Sequence, residues 1–169
     1  KEIEPDGFIG PKQFAPRING RQYYKNCYIC GDIDFIFGSA TAYFENCVIE
    51  SLCHTTNVND IQGYITAAST PESQEYGYVF SNCKLISKDC PPNSVYLGRP
   101  WRNYAKTAFL ECALGNHIHE CGFHDWKKED ARNTVLYAEY RNYPASSADT
   151  TSNNRSLNDD IHCIDGRCI

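Results

Sequence analysis

Two aspartates stand one residue apart in the segment Gly31-Asp32-Ile33-Asp34-Phe35-Ile36-Phe37-Gly38. If this apolar-rich stretch is a strand, its period of two puts both carboxylates on one face, side by side, with Ile33, Phe35 and Phe37 on the other. Carboxylates that close repel, so at least one should resist ionisation unless a cation sits beside them. That is the environment of a nucleophile or a general acid. An exposed acidic strand edge would carry the same two residues.

A cation and aromatic surfaces occur further on, in Tyr96-Leu97-Gly98-Arg99-Pro100-Trp101-Arg102 and in Gly63-Tyr64-Ile65-Thr66-Ala67-Ala68-Ser69-Thr70. A guanidinium can hold a carboxylate by two parallel hydrogen bonds, keeping it ionised and fixing its orientation. A third set, His117-x-His119-x-Cys121 with His124 nearby, offers ligands suited to zinc. No fourth ligand of matching type follows and Cys27-x-x-Cys30 has no second copy, so no metal is expected. The glycine-rich phosphate loop and the Gly-x-Ser-x-Gly elbow are both absent, which argues against nucleotide chemistry and a serine esterase.

The elements that must position these residues are visible in a repeat. Tyr24-Lys25-Asn26-Cys27-Tyr28-Ile29 recurs as Phe44 to Ile49, Phe80 to Leu85 and Phe109 to Leu114: an aromatic, any residue, Asn or Glu, Cys, any residue, Ile or Leu. The β-rich composition and shortness of each copy suit strands, and the uneven spacing of the cysteines (20, 36 and 29 residues) suits coils carrying loops of different length. Such coils bury their apolar faces only by stacking like on like. Cys27, Cys47, Cys83 and Cys112 are therefore expected as a ladder of buried free thiols, while Cys30, Cys53, Cys90, Cys121, Cys163 and Cys168 fall outside it. Cys163 and Cys168 are close enough to bridge a short loop. Helix signal is confined to a turn or two over 125–132, before another strand over 134–140.

With 169 residues, 41% hydrophobic, 13% aromatic and 22% charged, the chain has the composition of one folded domain over 1–169. Residues 1–19 read as an atypical lead-in and 142–169 as an irregular polar tail with one sequon at Asn154. A net charge of −5 without a long Lys/Arg cluster argues against nucleic acid or a membrane surface as partner, and no apolar run is long enough to span a bilayer. Ten cysteines favour a secreted protein, and the absence of Met, even at position 1, suits a processed form or a fragment.

The Asp34-Phe35-Ile36-Phe37-Gly38, Gly63-Tyr64-Ile65-Thr66-Ala67 and Leu97-Gly98-Arg99-Pro100-Trp101 motifs, in that order over repeated Asn-Cys strands, resemble the pectin methylesterases (pectinesterases) from about Gly20 to Tyr143. The resemblance implies an all-β, right-handed parallel β-helix, truncated at its N-terminal side. It further implies a secreted, monomeric esterase that demethylates homogalacturonan, the pectin of cell walls, without metal or organic cofactor. It makes Asp34 the nucleophile, Arg99 the residue that orients and ionises it, and Trp101 a wall for the sugar, with Phe37 and Tyr64 as further subsite residues. The family's general acid lies in a Gln-Asp-Thr-Leu motif upstream of Gly20-Arg21-Gln22-Tyr23-Tyr24. Counting without gaps, that acid falls on Gln13 and the oxyanion-stabilising Gln on Lys12. Three readings remain open: a pectin-binding relative that does not catalyse, a fragment with an altered start, or Asp32 as substitute acid.

Overall fold

The computed structural model of the chain describes residues 20–145 together with the backbone of His162–Cys163. The lead-in with Lys12 and Gln13, the sequon and the proposed Cys163–Cys168 bridge lie outside the described residues. The described chain winds as a parallel β-helix, as the repeat predicts. The first coil is β1 (Arg21–Lys25), β2 (Tyr28–Gly31) and β3 (Ile33–Gly38). The second is β4 (Thr41–Glu45), β5 (Val48–Ser51) and β6 (Gly63–Ala68), and the third β7 (Tyr78–Ser81), β8 (Lys84–Ile86) and β9 (Val95–Gly98). A fourth has β10 (Lys106–Leu110) and β11 (Ala113–Leu114), with single bridges at Ile118 and Phe123 in place of a third strand. After the one-turn helix α1 (Glu129–Arg132) come β12 (Leu136–Tyr140) and β13 (Tyr143–Pro144). Like strands stack in parallel into three sheets, β1-β4-β7-β10-β12, β2-β5-β8-β11-β13 and β3-β6-β9, and β14 (His162–Cys163) joins β12 antiparallel.

Each repeat copy is two strands joined at a corner rather than one strand. Asn26, Asn46, Asn82 and Glu111 adopt φ of 55°, 52°, 53° and 54°, the left-handed conformation that Asn tolerates best. Their backbone N–H groups donate across the corner to the next coil, to Glu45 O, Ser81 O, Leu110 O and Tyr140 O. The corner resets the alternation, so the aromatic before it and the Cys after it both face inward although an odd number of positions separates them. Tyr24, Phe44, Phe80 and Phe109 stack in register at centroid spacings of 4.7, 4.4 and 4.4 Å. The four ladder cysteines are free and buried. The Sγ of Cys47, Cys83 and Cys112 also lies 3.5–3.6 Å from the carbonyl oxygen of Tyr24, Phe44 and Phe80 in the preceding coil. A thiol is thus small and apolar enough for the core and still a weak donor at the corner.

The boundary placed at 142 is corrected. The register Leu136↔Lys106 to Tyr143↔Ala113 continues the ladder, with Arg141 (φ 50°) in the corner and buried Asn142 in the Cys position. Asn142 Oδ1 accepts the Cys112 N–H at 2.9 Å, and its Nδ2 donates to Glu139. Residues 142–145 therefore belong to the solenoid, as a fifth rung.

Candidate active site

Asp34 and Arg99 lie 65 positions apart in sequence and meet on the outer face of the β3-β6-β9 sheet. β6 follows β3 and β9 follows β6 in parallel, so a residue at the start of β3 and one just past β9 can share one surface. Close strand approach makes this possible. A Cβ on Gly98 would come within 2.0 Å of Thr66 Oγ1, and one on Gly63 within 2.2 Å of the Asp32 carbonyl oxygen. Arg99 then leaves the sheet with its N–H bonded to Thr66 O.

The strict alternation expected of β3 does not hold. Asp34 has φ 55°, and the pairing slips between Ile33↔Tyr64 and Ile36↔Thr66, three steps on β3 against two on β6. This bulge turns Asp34 outward and lets Phe35 and Ile36 both enter the core. A left-handed Asp is uncommon, and such strain gathers at functional positions.

Arg99 Nε donates to Asp34 Oδ1 at 2.9 Å and Nη2 to Oδ2 at 2.6 Å, a bidentate fork between side chains that are each only about 15% exposed. Burial pushes the Asp34 carboxyl above the ordinary aspartate range, and the hydrogen bonds and charge of Arg99 pull it back only in part. Arg99 thus pulls the carboxyl down, as expected of a guanidinium beside it, and the burial of the pair outweighs that pull.

The guanidinium is clamped between two aromatic rings, with its carbon 3.9 Å from the Tyr64 centroid and 4.3 Å from that of Trp126. Tyr64, expected as a sugar platform, gives one face to Arg99 and stacks on Tyr96 at 5.5 Å. Trp101 meets Phe37 edge to face at 4.8 Å and leans on Trp126 at 5.6 Å. These rings form an aromatic wall beside the carboxylate. Trp126 escaped the sequence reading, and its signal was slight, a second Trp in a His-Asp-Trp segment. It stands at φ 53° with its N–H bonded to His124 Nδ1, and Lys128 Nζ, bonded to the carbonyls of Pro100 and Trp101, packs on its ring.

Asp32 does not stand beside Asp34 as the alternation suggested. It occupies the bend before β3, where Oδ1 accepts the Ile33 N–H and Oδ2 lies 3.2 Å from His54 Nδ1. Its negative charge still reaches Asp34 and adds to the upward shift there. His54 belongs to the loop between β5 and β6, which fully buried Gln62 organises by accepting the N–H groups of His54 and Thr55. His117 is buried in the core, and His119 stacks on Tyr96. Among the described residues, no three His, Cys, Asp or Glu side chains converge as a metal site.

The family model described as Pectinesterase matches residues 17–159. The chain is 42% identical over 141 residues to the probable pectinesterase/pectinesterase inhibitor 13 of Arabidopsis thaliana, covering 78% of this chain and 22% of that protein. The crystal structure of the deglycosylated Aspergillus niger pectin methylesterase superposes with a TM-score of 0.68 at 31% identity, over 94% of this chain and 52% of that one. A pectin methylesterase crystallised with a hexasaccharide superposes at 0.61 with 30% identity, over 83% of this chain and 47% of that one. The chain thus spans about half the length of the solved structures it matches and less of the plant protein.

Proposed function

The chain belongs to the pectinesterase family, and on that premise we propose that it hydrolyses methyl esters of homogalacturonan, releasing methanol outside the cell, with Asp34 as nucleophile. The observation that carries the reading is the bidentate Arg99–Asp34 pair on the outer face of the solenoid, walled by aromatic rings. The Asp34 carboxylate attacks the ester carbonyl, methoxide leaves, and water then cleaves the acyl-aspartate. Arg99 fixes the attacking oxygens, and Trp101 and Phe37 offer apolar surface to the faces of the pyranose rings. The hexasaccharide bound by the related pectin methylesterase supports a polysaccharide as the partner.

Methoxide must take up a proton as it departs, and the water must lose one. Asp32 is assigned this second role as the carboxyl group two positions from Asp34, in the bend before β3, with its Oδ2 3.2 Å from His54 Nδ1. A second reading, a pectin-binding relative without turnover, is favoured by Gln13 at the position of the family's general acid, since an amide can hydrogen-bond an oxyanion but cannot protonate methoxide.

Methanol release from methylated pectin separates the two. Asp32→Asn should lower the wild-type rate by roughly 10²- to 10⁴-fold, the usual worth of acid-base assistance. A wild type that binds pectin without releasing methanol, and gains activity on Gln13→Asp, would establish the binding relative instead.

A further inference from the structure

Four of the described cysteines lie outside the buried ladder, and two of these fall in adjacent loops of neighbouring coils. β5 and β8 run in parallel register through Glu50↔Ile86, and Ser87 then donates its Oγ–H to Ser51 O at 2.7 Å. The Ser87 Oγ also accepts the Cys90 N–H at 3.0 Å, folding the next loop back so that Cys90 Sγ sits 3.7 Å from Ser51 O. Two residues beyond Ser51 stands exposed Cys53, near enough to half-buried Cys90 to help push its thiol up. Cys30 lies elsewhere, against the Tyr28 hydroxyl, and Cys121 follows the His119 turn in the fourth coil.

We infer that Cys53 and Cys90 form a disulfide under oxidising conditions, stapling the β5–β6 loop to the β8–β9 loop of the next coil. The oxidant is a small-molecule disulfide such as oxidised glutathione. The exposed Cys53 thiolate attacks one of its sulfurs and expels one thiolate. The Cys90 thiolate then displaces the second from the mixed disulfide. Two protein thiols lose two protons and two electrons, and one small disulfide becomes two thiols.

The cross-link is useful where it falls. Cys53 precedes His54, whose ring holds Asp32, and the bridge would tie the loop between β5 and β6 to the loop between β8 and β9, so a covalent link there restrains the neighbourhood of the site. The cysteines lie 37 positions apart in sequence, so the bridge removes substantial loop freedom from the unfolded chain. The ladder thiols are excluded from this chemistry by burial.

The test uses the full chain, reduced and then incubated with oxidised glutathione at mildly alkaline pH. Alkylation, digestion without reductant and mass spectrometry should yield one cross-linked peptide pair joining Cys53 to Cys90, with the ladder cysteines alkylated only after denaturation. The oxidised protein should melt roughly 5–10 °C above the reduced one, and Cys53→Ser and Cys90→Ser should each abolish that difference. Recovery of both thiols free, of stable glutathione adducts on Cys53 alone, or of either cysteine bridged to Cys30 or Cys121 would overturn the inference.

Discussion

Arg99 grips Asp34 through a planar fork and lies between two rings, and lysine can reproduce neither feature. Arg99→Lys should therefore lower kcat by roughly 10- to 100-fold through misplacement of the carboxylate. Because the hydrogen bonds of Arg99 oppose the upward push of burial on Asp34, weakening them should also move the acid limb of the pH–rate profile to higher pH. The nucleophile is active when deprotonated, so the rate rises with pH through that limb. An unchanged limb would remove Arg99 from the ionisation of Asp34. A second titration belongs to stability. Burial depresses His117 to about 4 from 6.5, so as pH falls from about 6.5 towards 4 the unfolded chain takes up a proton that the folded chain refuses. Stability present above pH 6.5 should decline across that window by up to about 3 kcal/mol, and His117→Gln should flatten this part of a plot of Tm against pH.

At the scale of the element, the corners decide which faces meet. Asn82→Gly should be tolerated and Asn82→Val should cost about 1–2 kcal/mol in thermal denaturation, because a β-branched residue resists φ of 53°. Asn142→Ala leaves the buried Cys112 N–H without its acceptor and should cost about 1–3 kcal/mol. The repeat was legible because stacking demands the same residue at the same rung, hence Phe44, Phe80 and Phe109 over Cys47, Cys83 and Cys112. The corner inside it was not, since a left-handed Asn and a strand Asn read alike in one dimension. The fifth rung was hidden for a related reason: Arg141 and Asn142 keep the geometry while changing both diagnostic residue types. Asp34 escaped the alternation rule through its bulge, which no pattern of apolar residues announces.

Across the whole molecule, the site is a column cut through successive coils, with Asp34 from the first, Tyr64 from the second, Arg99 and Trp101 from the third, and Trp126 after the fourth. The pairing of Asp34 with Arg99 was legible only through the resemblance of their motifs to the pectin methylesterases, and motif order in the sequence mirrors coil order in space. Trp126 was not legible, because it enters from a loop whose path depends on two consecutive left-handed residues, Trp126 and Lys127. The central claim is that this column is an esterase site with Asp34 as nucleophile. The most direct measurement is methanol release from highly methylated pectin by the wild-type chain and by Asp34→Asn, with pectin binding followed in parallel. The account predicts turnover by the wild type and none above background by Asp34→Asn, with binding retained. Equal methanol release by the two proteins would contradict it.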